Sequence, residues 1–105
     1  ALTWKTRKQE TITFLETEAD RDAKMLALAD KLSNLRAIHR DQCIIGDKIW
    51  ERFNEKNKEM HAWMYRSIAK ALEELKDHPT WQEYNRLVTE VFGEEKSIDK
   101  TDEKG

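Results

Sequence analysis

Ala27-Leu28-Ala29-Asp30-Lys31-Leu32-Ser33-Asn34-Leu35-Arg36 decides how this chain is read. It opens as an apolar run that predicts a buried helix, yet Asp30 and Asn34 sit in its middle. Four residues apart on a helix is one face, one turn above the other. An ionised carboxylate buried without a partner is strongly unfavourable, so a buried helix here predicts a cation facing Asp30.

Working outward, Met25, Leu26, Leu28, Ala29, Leu32, Leu35 and Ile38 surround much of the circumference, the pattern of a central helix over residues 21–40. Asp20 is its expected N-cap. A charged break at residues 17–20 separates it from a first helix over residues 4–16, whose inner face holds Trp4, Ile12 and Leu15. Gly46 interrupts the pattern downstream, and residues 47–53 suit a short helix. Asn54 or Asn57 is placed to cap a third helix reaching about residue 76, with Met60, Trp63, Met64, Ile68, Ala71, Leu72 and Leu75 on its apolar period. Pro79 suits a first helical turn, and Thr80 with Glu83 has capping-box spacing. Trp81, Tyr84, Leu87, Val88, Val91 and Phe92 form the inner face of a fourth helix that Gly93 ends. One proline, three glycines and no clear two-residue alternation make the expected class all-α. Residues 1–93 read as a single helical domain, and the polar stretch 94–105 as a disordered tail.

Composition narrows the function classes. Charged residues make up 38% of the 105, but the net charge of −2 shows no bias toward nucleic acid or an anionic membrane. No DNA, RNA or membrane partner is expected: no stretch approaches the roughly 20 apolar residues of a span, and basic-aromatic interleaving is missing. A single cysteine, Cys43, excludes an internal disulfide and fits a reducing, cytoplasmic setting. Cys43 itself suits a small core or loop position rather than a nucleophile. The four tryptophans fall at helical spacing with other apolar residues and read as core anchors.

The central segment resembles a known signature, K-L-A-D-[RK]-L-x-N-[LM]-R, of the HD superfamily of metal-dependent phosphohydrolases. It is most similar to the branch that hydrolyses the alarmone (p)ppGpp, the RelA/SpoT-type hydrolase domain and its small single-domain relatives. WKTRKQETITFL upstream, and GDKIWERFN, AWMYRSIAKAL and TWQEYNRLVTEVFGE downstream, are similar to the C-terminal half of those proteins in the same order. The resemblance implies a guanosine-3′,5′-bis(diphosphate) 3′-pyrophosphohydrolase as the parent. It implies that Asp30 is a ligand of a divalent metal, usually manganese, and that Asn34 lines the nucleotide pocket. Lys31 and Arg36 match motif positions that could be structural.

The departures matter as much. The family also uses an upstream histidine, a His-Asp pair and an acidic pair, whereas His39, His61 and His78 all lie downstream of Asp30. A catalytic metal normally takes about three protein ligands. The expectation is therefore a partial HD-type bundle of about four helices plus a short one, lacking the N-terminal helices that carry the other ligands, without metal and inactive alone. Lys58, His61 and Tyr65 form a stripe that is either a phosphate-facing surface or, the commoner case, a solvated edge beside Met60, Met64 and Ile68. Asn34 is either a pocket residue or a polar group satisfied by nearby backbone. The alternative function is a non-enzymatic scaffold: loss of upstream helices would expose the apolar face of the 21–40 helix, which would then pair with the missing half or with a second copy.

Overall fold

Asp20 does cap the longest helix, accepting from the Ala23 backbone N–H at 2.8 Å. The structure, a computed structural model, describes residues 3–94; the proposed tail, apart from its first residue, lies outside the described residues. Four α-helices follow in order: α1 (Trp4–Thr17), α2 (Arg21–Ile45), α3 (Lys58–Ala71) and α4 (Pro79–Phe92). Two 3₁₀ segments, Gly46–Arg52 and Glu73–Leu75, link α2 to α3 and α3 to α4. The fold is all-α, with no strand among the described residues.

The boundaries show which local signals won. α2 runs to Ile45 rather than to residue 40, because the stop is Gly46, at φ 67°, where a side chain would be strained. Asn57, not Asn54, caps α3 through the Glu59 N–H at 2.8 Å. α3 closes at Ala71, and the expected last turn tightens into 3₁₀ geometry while keeping Leu72 and Leu75 buried. For α4 the capping box does not form. His78 Nδ1 accepts from the Thr80 N–H at 3.2 Å, and Glu83 instead receives a bidentate pair from Arg36 at 2.6 and 2.7 Å.

The core is one cluster. From α2 it takes Leu28, Leu32, Leu35 and Ile38, from α3 Met64, Tyr65 and Ile68, and from α4 Tyr84, Leu87, Val88 and Val91. α2 lies on α4 and on the Gly46–Arg52 segment, α4 on α3, and α1 on α3, with Ile12 and Leu15 of α1 buried in the core. The Tyr84 hydroxyl donates to the Tyr65 carbonyl at 2.8 Å inside this core, and the Trp81 indole donates to the Ala69 carbonyl at 3.0 Å. Trp50 is buried, while Trp4, Trp63 and Trp81 pack against the core from its margin.

α2 departs from expectation in its surroundings. Its apolar stripe is covered from within the chain, so the exposed face expected there is not observed. Its other side is open: Leu26 is 74% exposed, and Ala29, Asp30, Ser33 and Asn34 are exposed with it. Cys43 is also exposed, on the last turns of α2, rather than held in the core or a loop. The helix is one-sided, not encircled. No described helix is long and apolar enough to cross a membrane.

Candidate functional site

Asp30 is exposed and has no Lys, Arg or His within ion-pair distance among the described residues. The predicted cation is not needed, because a carboxylate that stays in solvent carries no burial cost to offset. Its field is felt nearby, however. The Tyr65 phenol is pushed up to about 12, first by its burial and then by the negative charge of Asp30. Tyr65 therefore keeps its proton at neutral pH and is a hydrogen-bond donor.

The Asn34 side chain, one turn beyond Asp30, makes no hydrogen bond to a described residue and borders two adjoining cavities. The backbone-satisfied reading is thus replaced by an open amide facing a hollow. The first cavity, about 340 Å³, is walled by Trp4, Arg7 and Lys8 of α1, Lys31 and Asn34 of α2, and Tyr65 of α3. Phe53, Asn54, Glu55, His61 and Met64 complete it. Trp4, Arg7 and Lys8 share a helix face by their three- and four-residue spacing, which turns both cations to the cleft. The Lys8 ammonium sits 5.6 Å over the Trp4 ring. Burial, then the charges of Lys31 and Arg7, lower the Lys8 pKa. Neither Lys8 nor Lys31 has a carboxylate within ion-pair distance among the described residues. Lys8 and Lys31 repel each other here, and although Glu55 also borders the cavity, an anion placed between the two ammonium groups relieves that repulsion.

His61 and Tyr65 are buried, at 5% and 4% exposure, so the solvated-edge reading of the α3 stripe fails for both. His61 lies among Trp4, Trp50 and Phe53, with ring centroids 5.1–5.4 Å away. Its Nε2 is 2.7 Å from the Glu55 carbonyl, and since a carbonyl only accepts, that nitrogen carries the proton. This bond fastens the loop at Asn54–Glu55 against α3, so the Nε2 N–H is already used. Lys58 is not brought to the cleft at all. It pairs with Asp47 at 3.3 Å. The Asp47 carboxyl is held below the usual range, foremost by the Trp50 indole and then, less strongly, by hydrogen bonds from Lys58 and Gln42. Of the four sequence candidates, Asn34 and His61 share the cleft wall, Asp30 stands beside it, and Lys58 lies elsewhere. The α1 cations were missed. Their signal was the Trp4-x-x-Arg7-Lys8 spacing, which reads as a solvated end until the helix is docked.

The remaining histidines are engaged: His39 Nε2 lies 3.1 Å from Glu90, and His78 caps α4. Among the described residues no group of three or more His, Cys, Asp or Glu side chains is placed to hold a metal ion. A larger hollow of about 610 Å³ runs along α1 and its ends from Thr3 to Glu18, bordered by no second described element and without convergent charge. In comparisons with known proteins, no family model, no curated protein and no solved structure matches this chain. The cleft is therefore read from its own chemistry.

Proposed function

We propose that this chain supplies the phosphate-binding wall of an HD-type nucleotide phosphohydrolase domain, with a (p)ppGpp-like guanosine nucleotide as its ligand class. One observation carries the reading: Lys8 and Lys31, both without a carboxylate partner among the described residues, converge with the open amide of Asn34 on a single cavity. Lysine ammonium groups and a neutral phenol donate to phosphate oxygens, and the like-charge repulsion among them falls when an anion binds. Asn34 is also the residue that the sequence resemblance assigns to a nucleotide pocket, and Asp30 lies one turn before it.

A divalent metal such as manganese does not fit the described residues by themselves. Asp30 offers one carboxylate, and no described side chains join it in a donor set. The chemistry of these residues is binding: Lys8, Lys31 and Arg7 supply positive charge, Tyr65 a protonated hydroxyl, and Asn34 an amide that both donates and accepts. Among the described residues, the alternative of a self-associating scaffold has the exposed Phe14, Leu26, Ile44 and Ile45 to draw on. Such scattered apolar side chains are ordinary on a surface.

Titration of the 105-residue chain with inorganic pyrophosphate tests the proposal. Binding is expected, with the paired change Lys8→Ala and Lys31→Ala weakening it by about tenfold or more. Unchanged affinity in the double variant would exclude the cleft. The chain by itself is expected to show no pyrophosphohydrolase turnover with manganese, and robust turnover would overturn the single-ligand reading of Asp30.

A further inference from the structure

The second cavity bordered by Asn34 has a different character from the first. It measures about 320 Å³ and is lined by Ala37, Ile38, Ile49 and Phe53, with Asp41 and Arg52 bordering it too. Ile38 and Ile49 are buried and Phe53 half-buried, so its floor is apolar. Asn34, Phe53 and Tyr65 border both cavities, so one ligand can reach from the apolar slot into the cationic cleft. A flat, weakly polar ring joined to a polyanion has that shape and that polarity, as a nucleotide does.

Among the described residues, Asp41 is the one carboxylate bordering the slot. Its Oδ2 accepts from Arg52 Nη1 at 3.0 Å and its Oδ1 from Arg40 Nε at 3.4 Å. A carboxylate has about four acceptor sites, so both oxygens keep capacity after these two bonds. Carboxylate oxygens accept hydrogen bonds, and both already do so from the two arginines. A ring edge meeting it must donate. Guanine presents N1–H and N2–H side by side, two donors for two oxygens. Hypoxanthine presents N1–H alone. Adenine sets the N1 lone pair beside its amine, which places an acceptor against the carboxylate.

We infer that Asp41, held by Arg52 beside the apolar slot, is a specificity-determining residue that selects guanine over adenine in the bound nucleotide. This rests on the phosphate-binding reading of the neighbouring cleft, and the two fail in distinguishable ways. The rival account is an ordinary surface ion pair between Asp41 and Arg52, for which the identity of the base is immaterial.

The test is a binding ladder on the full chain with GDP, IDP, ADP and inorganic pyrophosphate at neutral pH. GDP is expected to bind about tenfold tighter than ADP, with IDP between them, as hydrogen bonds to a charged acceptor allow. In Asp41→Asn, GDP and ADP should come within about twofold of each other while pyrophosphate affinity is unchanged. The ladder on the unaltered chain stands even if that variant folds poorly, which circular dichroism would show. Equal GDP and ADP affinities with pyrophosphate still bound would overturn the role of Asp41 and leave the cationic cleft intact. A guanine preference that survives in folded Asp41→Asn would overturn it too. Absence of any pyrophosphate binding would overturn the cleft and the base selection together.

Discussion

The two sides of α2 treat charge in opposite ways. Toward α4, Arg36 meets Glu83 in a bidentate pair and His39 lies against Glu90, and between them run Leu32, Leu35 and Ile38 in a closed apolar seam. Toward α1, Lys31 faces Lys8 across a hollow, the Asn34 side chain has no hydrogen-bond partner among the described residues, and Asp30 stands in solvent. One side is finished by the chain itself; the other holds groups that gain from something added. If the proposed phosphate-binding reading holds, stability and binding reside on opposite flanks of one helix, and substitutions should separate them.

The largest effect belongs to the seam. Leu35 is fully buried, so Leu35→Ala should cost about 2–5 kcal/mol through lost transfer energy and a cavity, read as a lower denaturation midpoint. Next comes Tyr84→Phe, which leaves the Tyr65 carbonyl without its buried donor. A loss of about 1–2 kcal/mol is expected, and no change in midpoint would mean that this hydrogen bond contributes nothing. On the other flank, Lys31→Ala should leave the melting temperature level or slightly higher, because it removes repulsion on Lys8, while pyrophosphate affinity falls. A clear drop in stability would break the division between the flanks.

The smallest effect is in acid. Asp47, Glu74 and Glu83 are held below the usual carboxylate range, chiefly by hydrogen bonds from Trp50, Lys24 and Arg36 respectively. A lowered carboxylate stabilises the fold above its unfolded pKa, and that contribution is lost as pH falls through the folded value. A modest decline in melting temperature below about pH 4 should follow, smaller in Glu83→Gln. An equal decline in that variant would show the pair with Arg36 to be without consequence.

The helices and their inner faces were legible because each rests on a local pattern: the 3.6-residue period of α3 and α4, Asp20 as a cap, Gly46 and Gly93 as stops. α2 misled. Leu26 and Ala29 count as apolar in a periodicity yet face solvent, since a helix face is buried only by what packs on it, and the partner of α2 covers one side. The capping-box spacing at Thr80 and Glu83 misled for a related reason, because a partner 47 positions away in sequence competed for the same carboxylate. Asn34 could be found from its motif. The α1 cations could not, because their approach to Lys31 depends on how α1 docks on α3.

That docking sets the order in which the molecule can be completed during synthesis. Of the described helices α1 leaves the ribosome before the others, but α3, on which it lies, emerges after the whole of α2 and the Gly46–Arg52 segment. A 14-residue helix is marginal by itself in water. Until α3 arrives, α1 has little to hold it, and the wall bearing Arg7 and Lys8 does not exist. On the proposed reading, the anion-binding wall is therefore assembled only after α3 has been synthesised.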